Sequence, residues 1–511
     1  VARGMRAAGR RAAQIVAGCA ARCAGGRRAD RMNSWVEVQS GRYRDSVTLL
    51  RVSRELAGRE GITAAMVAMA TEPNLDLLRR RGFAVPEGAG PDDLVVAIRG
   101  ADEASVREAR RVLEGLLADD PAPAARHAPQ DDPPRTTGAA ARLLAEPAGG
   151  LALVSVPGRY AFIEAMDALN AGLNVMVCSG DVPLHQEVAL KEAAGRRGLI
   201  VMGPGCGTAV IGGAGLGFAN AVRPGPVSIV AASGTGAQQV MCLLDAAGVG
   251  VRHVLGVGGR DLSAEVSGRS TLAALAALDE DPATELIAVV AGPPAPRVAD
   301  LVHSAARRLD TPVHFAMLAE DSPDLTAATE RLLSALGRRV PRWPCWPAAR
   351  PAGPVAPGAL RGLFTGGALR AEAALIARRM LGPDLACGGH RLIDLGADAC
   401  ARGRAHPMID PAPRLEHLAA AAADPSCRVV LLDVLLGQGA DPDPAALLAP
   451  AIEAALAGRD DLRVVVSLCG TPADPQGLGR QAAALQRAGA DVFASNAAAA
   501  RHAAALAGGG R

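Results

Sequence analysis

Aromatic side chains are scarce: Trp, Tyr and Phe make up 2% of the 511 residues, although hydrophobic residues as a whole make up 50%. A core without large rings has to be built from Ala, Val and Leu, which suits helices packed closely on a sheet. Neither sign of charge is in excess. The formal net charge of +2 at pH 7 is too weak a field to argue for nucleic acid or an acidic membrane, which leaves a small molecule or another protein as partner. No apolar run approaches the roughly 20 residues of a membrane helix, because Gly, Pro or a charge interrupts every strand-like run. The 10 cysteines form no C-x-x-C pair and have no His at zinc-finger spacing. They read as isolated thiols in a reducing cytoplasm, and no metal site is expected.

A chain of this length exceeds a single core and suggests three or four domains. Residues 1–32 form a tail, nearly acid-free and rich in Arg and Ala up to Met32. It reads either as a targeting peptide or as sequence upstream of a start at Met32; the second is the expectation, and the tail is set aside from fold reasoning. Two Pro-rich linkers, 119–140 and 341–358, then divide the chain. Residues 33–118 alternate three strands ("SWVEVQS", "ITAAMVAM", "DLVVAIRG") with three helices, the pattern of a small α/β domain of ferredoxin-like type. Residues 141–340 and 359–511 alternate continuous apolar strands with helices. Such strands belong to parallel sheets covered on both faces, whose ligands lie outside the carboxyl ends of the strands.

Two strand-to-helix turns draw attention there. Ser233, Gly234, Thr235 and Gly236 follow "VSIVAA", and Thr365, Gly366 and Gly367 follow "RGLF". Each sets a hydroxyl beside backbone without side chains. Unsatisfied N–H groups at a helix start carry about half a positive charge and suit phosphate. The plainer reading is an ordinary N-cap and a tight turn. Neither turn is a Walker A loop, and neither they nor "GVGGRD" (256–261) completes G-x-G-x-x-G, so nicotinamide dinucleotide binding gains little support.

The stretch "VPGRYAFIEAMDALNAGLNVMVCSGDVPLHQEVALKEAAGRRGLIVMGPGCGTAVI", followed by "GPVSIVAASGTGAQQ" and "HVLGVGGRD", resembles the α subunit of succinyl-CoA synthetase and its NDP-forming relatives. Residues 359–511, with "LFTGGALRAEA", "HRLIDLGADA" and "DPSCRVVLLDVLLGQGA", resemble the carboxyl-terminal domain of the β subunit. Both halves in one chain, with "RDSV" early and "GRAHPMIDP" late, resemble the FdrA family. The resemblance implies an α/β fold of four parts: the ferredoxin-like domain, a partial Rossmann-like CoA-binding-type domain (141–225), and two flavodoxin-like CoA-ligase-type domains (226–340 and 359–511). It also implies that Ser233 to Gly236 and Thr365 to Gly367 face each other across a phosphate.

Three departures qualify the likeness. The ligases carry a phosphohistidine in a G-H-A-G segment where this chain has "AEDSPDLTAA", and His314 lies within the preceding strand. There is no ATP-grasp domain, and the half of the CoA-binding domain with the Gly-rich loop is missing. CoA is therefore a weak expectation, and phosphate or carbamoyl phosphate is the expected ligand.

What remains fits a subunit of an oxamate carbamoyltransferase in allantoin breakdown, which the resemblance implies: oxalurate and phosphate give oxamate and carbamoyl phosphate. The alternatives are an acyl-CoA synthetase subunit that needs an ATP-grasp partner, and a non-catalytic scaffold. Partner subunits from neighbouring genes and an oligomer are expected. Arg260 is the candidate clamp for a substrate carboxylate, with pairing to Asp261 as the plain reading. His406, between Arg404 and Asp410, is the candidate acid/base. Gly203, Pro204, Gly205, Cys206, Gly207 and Thr208 form a further strand-end turn for substrate, in which Cys206 is expected to pack rather than react.

Overall fold

The computed structural model describes residues 33–42, 44, 46–86, 88–118, 134–144, 149–349, 356–397 and 406–509. It divides into two compact units, residues 1–132 with 399–410, and residues 133–398 with 411–511.

The smaller unit runs β1 (Ser34–Gln39), α1 (Ser46–Ala57), β2 (Ile62–Met69), α2 (Glu72–Arg80), β3 (Leu94–Gly100) and α3 (Glu103–Ala118). Its sheet has the order β1-β3-β2, with β3 antiparallel to both neighbours. This is a ferredoxin-like arrangement. The strand "LVVAIRG" is apolar at successive positions because both of its faces are covered. Leu94, Val96 and Ile98 pack with Leu49, Val52 and Leu113 of the helices, while Val95 and Ala97 meet Leu75, Leu78 and Phe83.

The larger unit opens with α4 (Thr137–Ala141), β4 (Leu151–Val154), α5 (Gly158–Asn170), β5 (Asn174–Val177), α6 (Leu184–Gly195) and β6 (Val201–Met202). Its first sheet, β4-β5-β6, is parallel and has three strands among the described residues. A hairpin of β7 (Thr208–Ile211) and β8 (Ala214–Gly217) leads into β9 (Val227–Ala231), α7 (Gly234–Ala246), β10 (Val251–Gly256), α8 (Arg269–Asp279), β11 (Leu286–Ala291), α9 (Pro296–Ala306), β12 (Val313–Met317) and α10 (Leu325–Ala335). These strands form a six-stranded sheet of order β12-β11-β9-β10-β7-β8.

The last part runs β13 (Cys345–Trp346), β14 (Ala359–Phe364), α11 (Gly367–Leu381), β15 (Arg391–Asp394), α12 (Ala412–Ala423), β16 (Cys427–Leu435), α13 (Pro444–Leu456), β17 (Arg463–Cys469), α14 (Leu478–Arg487), β18 (Ala490–Phe493) and α15 (Asn496–Ala507). The order of this sheet is β13-β18-β17-β16-β14-β15.

In each large sheet the first strand of the parallel run lies in the middle. β9 lies between β10 and β11, and β14 lies between β15 and β16, all in parallel. Successive crossovers therefore leave β9 and β14 toward opposite sides, the flavodoxin-type order, and the carboxyl end of each first strand opens at a topological switch point. The two Gly-rich turns occupy these two points.

Buried polar contacts join the two six-stranded modules. Asn220 Nδ2 donates to the Leu436 carbonyl at 2.9 Å and to Asp474 Oδ2 at 2.8 Å, and Gln238 Nε2 donates to Asn220 Oδ1 at 3.1 Å. Glu372 of α11 accepts the first amide of α10, from Leu325, at 2.6 Å, and the Asn496 amide at 2.7 Å. The Cys242 and Cys469 sulfurs lie 3.7 Å apart in the same seam. A buried polar atom left without a partner costs about 1–3 kcal/mol, so these matched pairs favour one alignment of the modules over a slipped one.

Candidate functional site

Strand β9 is followed by extended backbone at Ser233, with φ −143° and ψ 120°, whose hydroxyl accepts the Gly236 amide at 3.3 Å. The hydroxyl is thus an N-cap, while the Gly234 and Thr235 amides at the helix start have no intrahelical partner. The turn meets its counterpart directly. A Cβ placed on Gly366 would stand 2.9 Å from both Cβ and Oγ1 of Thr235 and 3.0 Å from its Cγ2. One on Gly236 would stand 3.4 Å from the Ala368 Cβ, so the first turns of α7 and α11 pack side by side. Thr208 lies behind Gly234, its Oγ1 3.0 Å from where a Cβ would be. The structure therefore brings Ser233 to Gly236, Thr365 to Gly367 and Thr208 together.

The α11 turn is not bare. Asp433, fully buried near the carboxyl end of β16, accepts the Thr365 amide at 2.8 Å, the Thr365 hydroxyl at 3.0 Å and the Gly366 amide at 2.8 Å. The expectation that these three donors face a phosphate is corrected: a carboxylate of the chain already caps them. Burial raises the pKa of Asp433 against the opposing pull of Arg414, whose guanidinium donates to the Asp433 carbonyl at 2.6 Å and lies 3.4 Å from its carboxylate. On this helix the first-turn amides of Gly367 and Ala368 remain for a ligand. A second carboxylate, Asp394, lies beside Gly367, with Oδ2 2.8 Å from where its Cβ would stand. Burial raises the Asp394 pKa, and the charge of Asp433 adds to that rise.

The other expected site residues are placed differently. Amides of the 203–208 turn donate to the chain itself: Gly203 to the Gly256 carbonyl at 2.9 Å, Gly205 to Ser179 at 3.0 Å and Cys206 to Val177 at 3.0 Å. As a set of free donors for substrate the turn is therefore corrected; these bonds hold β6 against β5 and β10. Cys206 is buried, and desolvation pushes its thiol up to about 12. Arg260 is corrected as well: it donates to the Val182 carbonyl and pairs with Glu187, each at 2.8 Å. Asp261, its sequence neighbour, is instead paired with buried Lys191 at 2.8 Å and capped by the Ser270 and Thr271 amides. His406 belongs to the smaller unit. Its Nδ1 accepts the Met408 amide at 3.2 Å. His314 sits in β12 opposite Ala288. Arg404 lies outside the described residues.

Asp394 and Asp433 were not singled out from sequence. A usable signal exists for Asp433: a charge within "CRVVLLDVL", a strand buried on both faces, requires a partner.

Comparison with known proteins agrees with this architecture. Residues 32–133 match the model of the AllF heavy metal-associated domain, and residues 363–506 match the CoA-ligase model. The chain is 34% identical to the uncharacterized protein YahF of Escherichia coli over 508 residues, which cover 91% of this chain and 97% of YahF. It is 27% identical to a succinate–CoA ligase [ADP-forming] α subunit of Archaeoglobus fulgidus over 38% of this chain and 72% of that subunit. Among solved structures, a dinucleotide-forming acetyl-coenzyme A synthetase of Ca. Korarchaeum cryptofilum, in complex with phosphate and ADP, aligns over 70% of this chain and 82% of its own at 15% identity, with a TM-score of 0.29.

One ligand that such a relative brings to mind does not fit. Residues 32–133 contain no cysteine and one histidine, His127, and no cluster of three or more metal-ligating side chains exists among the described residues. A soft metal ion therefore finds no ligand set in this ferredoxin-like domain. The described part of the Rossmann-like module has only β4, β5 and β6, preceded by the short α4 rather than by a Gly-rich strand-to-helix turn.

Proposed function

Because the chain belongs to the same family as YahF and contains a CoA-ligase module, we propose that it transfers a carbamoyl group to phosphate at the junction of α7 and α11, as a subunit of an oxamate carbamoyltransferase. The observation that supports this reading best is the contact of Thr235 with Gly366. It gives two helix starts one common ligand region rather than two separate ones. Phosphate would accept from the Gly234 and Thr235 amides, whose partial positive charge suits a dianion. A phosphate oxygen would attack the ureido carbon of oxalurate, and amides at Gly367 and Ala368 would stabilise the tetrahedral oxyanion. Holding both reactants at one junction replaces an encounter of two solutes by an oriented attack. Partner subunits would complete the substrate pocket, since Arg260 is paired with Glu187.

The test is the reverse reaction. Carbamoyl phosphate and oxamate are supplied to the purified chain, with and without co-purifying partners, and inorganic phosphate release is measured. Release that depends on oxamate supports the reading, and its absence in both preparations overturns it. The match to the CoA-ligase model favours a second reading, an acyl-CoA synthetase subunit. That reading needs an ATP-grasp partner and predicts nucleotide-dependent consumption of CoA by the complex.

A further inference from the structure

Transfer from a ureido group to phosphate raises a proton problem. The departing nitrogen is an amide, and an amide anion is too basic to leave unprotonated. Phosphate arrives with a hydroxyl proton that must be lost. One group that receives the first proton and delivers it to the nitrogen solves both.

Of the side chains near the junction, several are occupied. The Asp433 oxygens are held by Thr365, Gly366 and Arg414 with no exposure to solvent. Cys206 is a buried thiol, and Arg260 is held by the Val182 carbonyl and Glu187. Asp394 differs. It ends β15, is partly exposed, and rests against Gly367, the residue that follows the Thr235 contact at Gly366. Its Oδ1 accepts the Gly396 amide at 2.9 Å, and no side-chain donor holds Oδ2 among the described residues. The carboxylate is thus fixed by one oxygen, with the other beside Gly367 at the start of α11.

We infer that Asp394 is the proton carrier of this transfer, an inference that rests on the carbamoyl-transfer reading. The phosphate oxygen forms its bond to the ureido carbon while its proton passes to Asp394. When the tetrahedral intermediate collapses, the C–N bond breaks, its electron pair goes to nitrogen, and the nitrogen takes the proton back from Asp394. The products are carbamoyl phosphate and oxamate, and Asp394 returns to the carboxylate. Burial raises the Asp394 pKa, which makes it a better temporary holder of a proton than a solvated aspartate.

The experiment titrates the full chain calorimetrically with inorganic phosphate at about pH 8, where phosphate is the dianion, in two buffers of different ionisation enthalpy. The difference in heat gives the protons exchanged on binding. Wild-type protein should take up a fraction of a proton as the dianion settles beside Asp394, and Asp394→Asn should bind phosphate with that exchange abolished. In turnover, Asp394→Asn should lower kcat about 10²–10⁴-fold with a much smaller change in KM for phosphate. Phosphate binding with equal proton uptake in both proteins overturns the role of Asp394 and leaves the phosphate site standing. No phosphate heat in the wild type overturns the carbamoyl-transfer reading together with this inference.

Discussion

Replacing Gly366 with Ala tests the contact on which the site depends. Gly366 has φ −112° and ψ 111°, a conformation open to any residue, so the substitution introduces no backbone strain. Its cost arises in space. The new methyl would lie 2.9–3.0 Å from three atoms of Thr235, against 3.4–4 Å for ordinary contact. Overpacking of this kind costs about 1–3 kcal/mol, and relief requires the two helix starts to move apart by about half an ångström. Displacement on that scale in a reacting site costs up to about 10²-fold in rate. Thr235→Gly removes all three opposing atoms. Gly366→Ala should therefore lower the calorimetric Tm of the larger unit by several degrees in the wild type and by little in the Thr235→Gly background. A coupling of at least about 1 kcal/mol is expected for residues in contact. If Gly366→Ala costs the same in both backgrounds, the two turns do not meet and the shared site fails with them.

Other consequences follow from the buried charges and the thiol. Asp433→Asn leaves Arg414 without its carboxylate in a site where Arg414 is 4% exposed; a loss of about 3–5 kcal/mol, read from denaturant midpoints, is expected. Burial pushes Glu372 up to about 7 from 4.5. Between those values the folded chain keeps a proton that the unfolded chain has released, so stability should fall as pH rises through the window, by at most about 1.4 kcal/mol per unit. Glu372→Gln should flatten that part of the thermal stability profile, and an unchanged slope would show that another group sets it. Cys206→Ala should leave phosphate-dependent turnover intact, and peptide mapping after alkylation of the native chain should find Cys345 and Cys387 labelled before Cys206, because the first two are exposed. Loss of turnover in Cys206→Ala, with folding retained, would contradict a packing role.

Much of the fold was legible along the chain because its signals are local. "VSIVAAS" and "RVVLLDVLLG" are continuous apolar runs, and they form β9 and β16 in the interiors of parallel sheets. Ser233 could be read as a helix start because its hydroxyl caps an amide only three positions away. The short pieces were less legible. β18 has four residues, and the β7–β8 hairpin turns through Gly212 and Gly213 with little apolar run on either side. Such elements are held by the sheet they join rather than by their own pattern.

Sequence alone thus determined where apolar strands end and where helices begin with unpaired amides, since both depend on neighbours a few residues apart. Only the tertiary structure decided what those amides face. The Asn220 pair with Asp474 spans 254 positions, and the cap of Thr365 by Asp433 spans 68. The same folding that sets Thr235 against Gly366 fills part of that turn with a carboxylate and sets Asp394 beside it. The physical reason is that an N–H group is satisfied by whichever acceptor packing brings within about 3 Å, and the chain order around it carries no record of that choice.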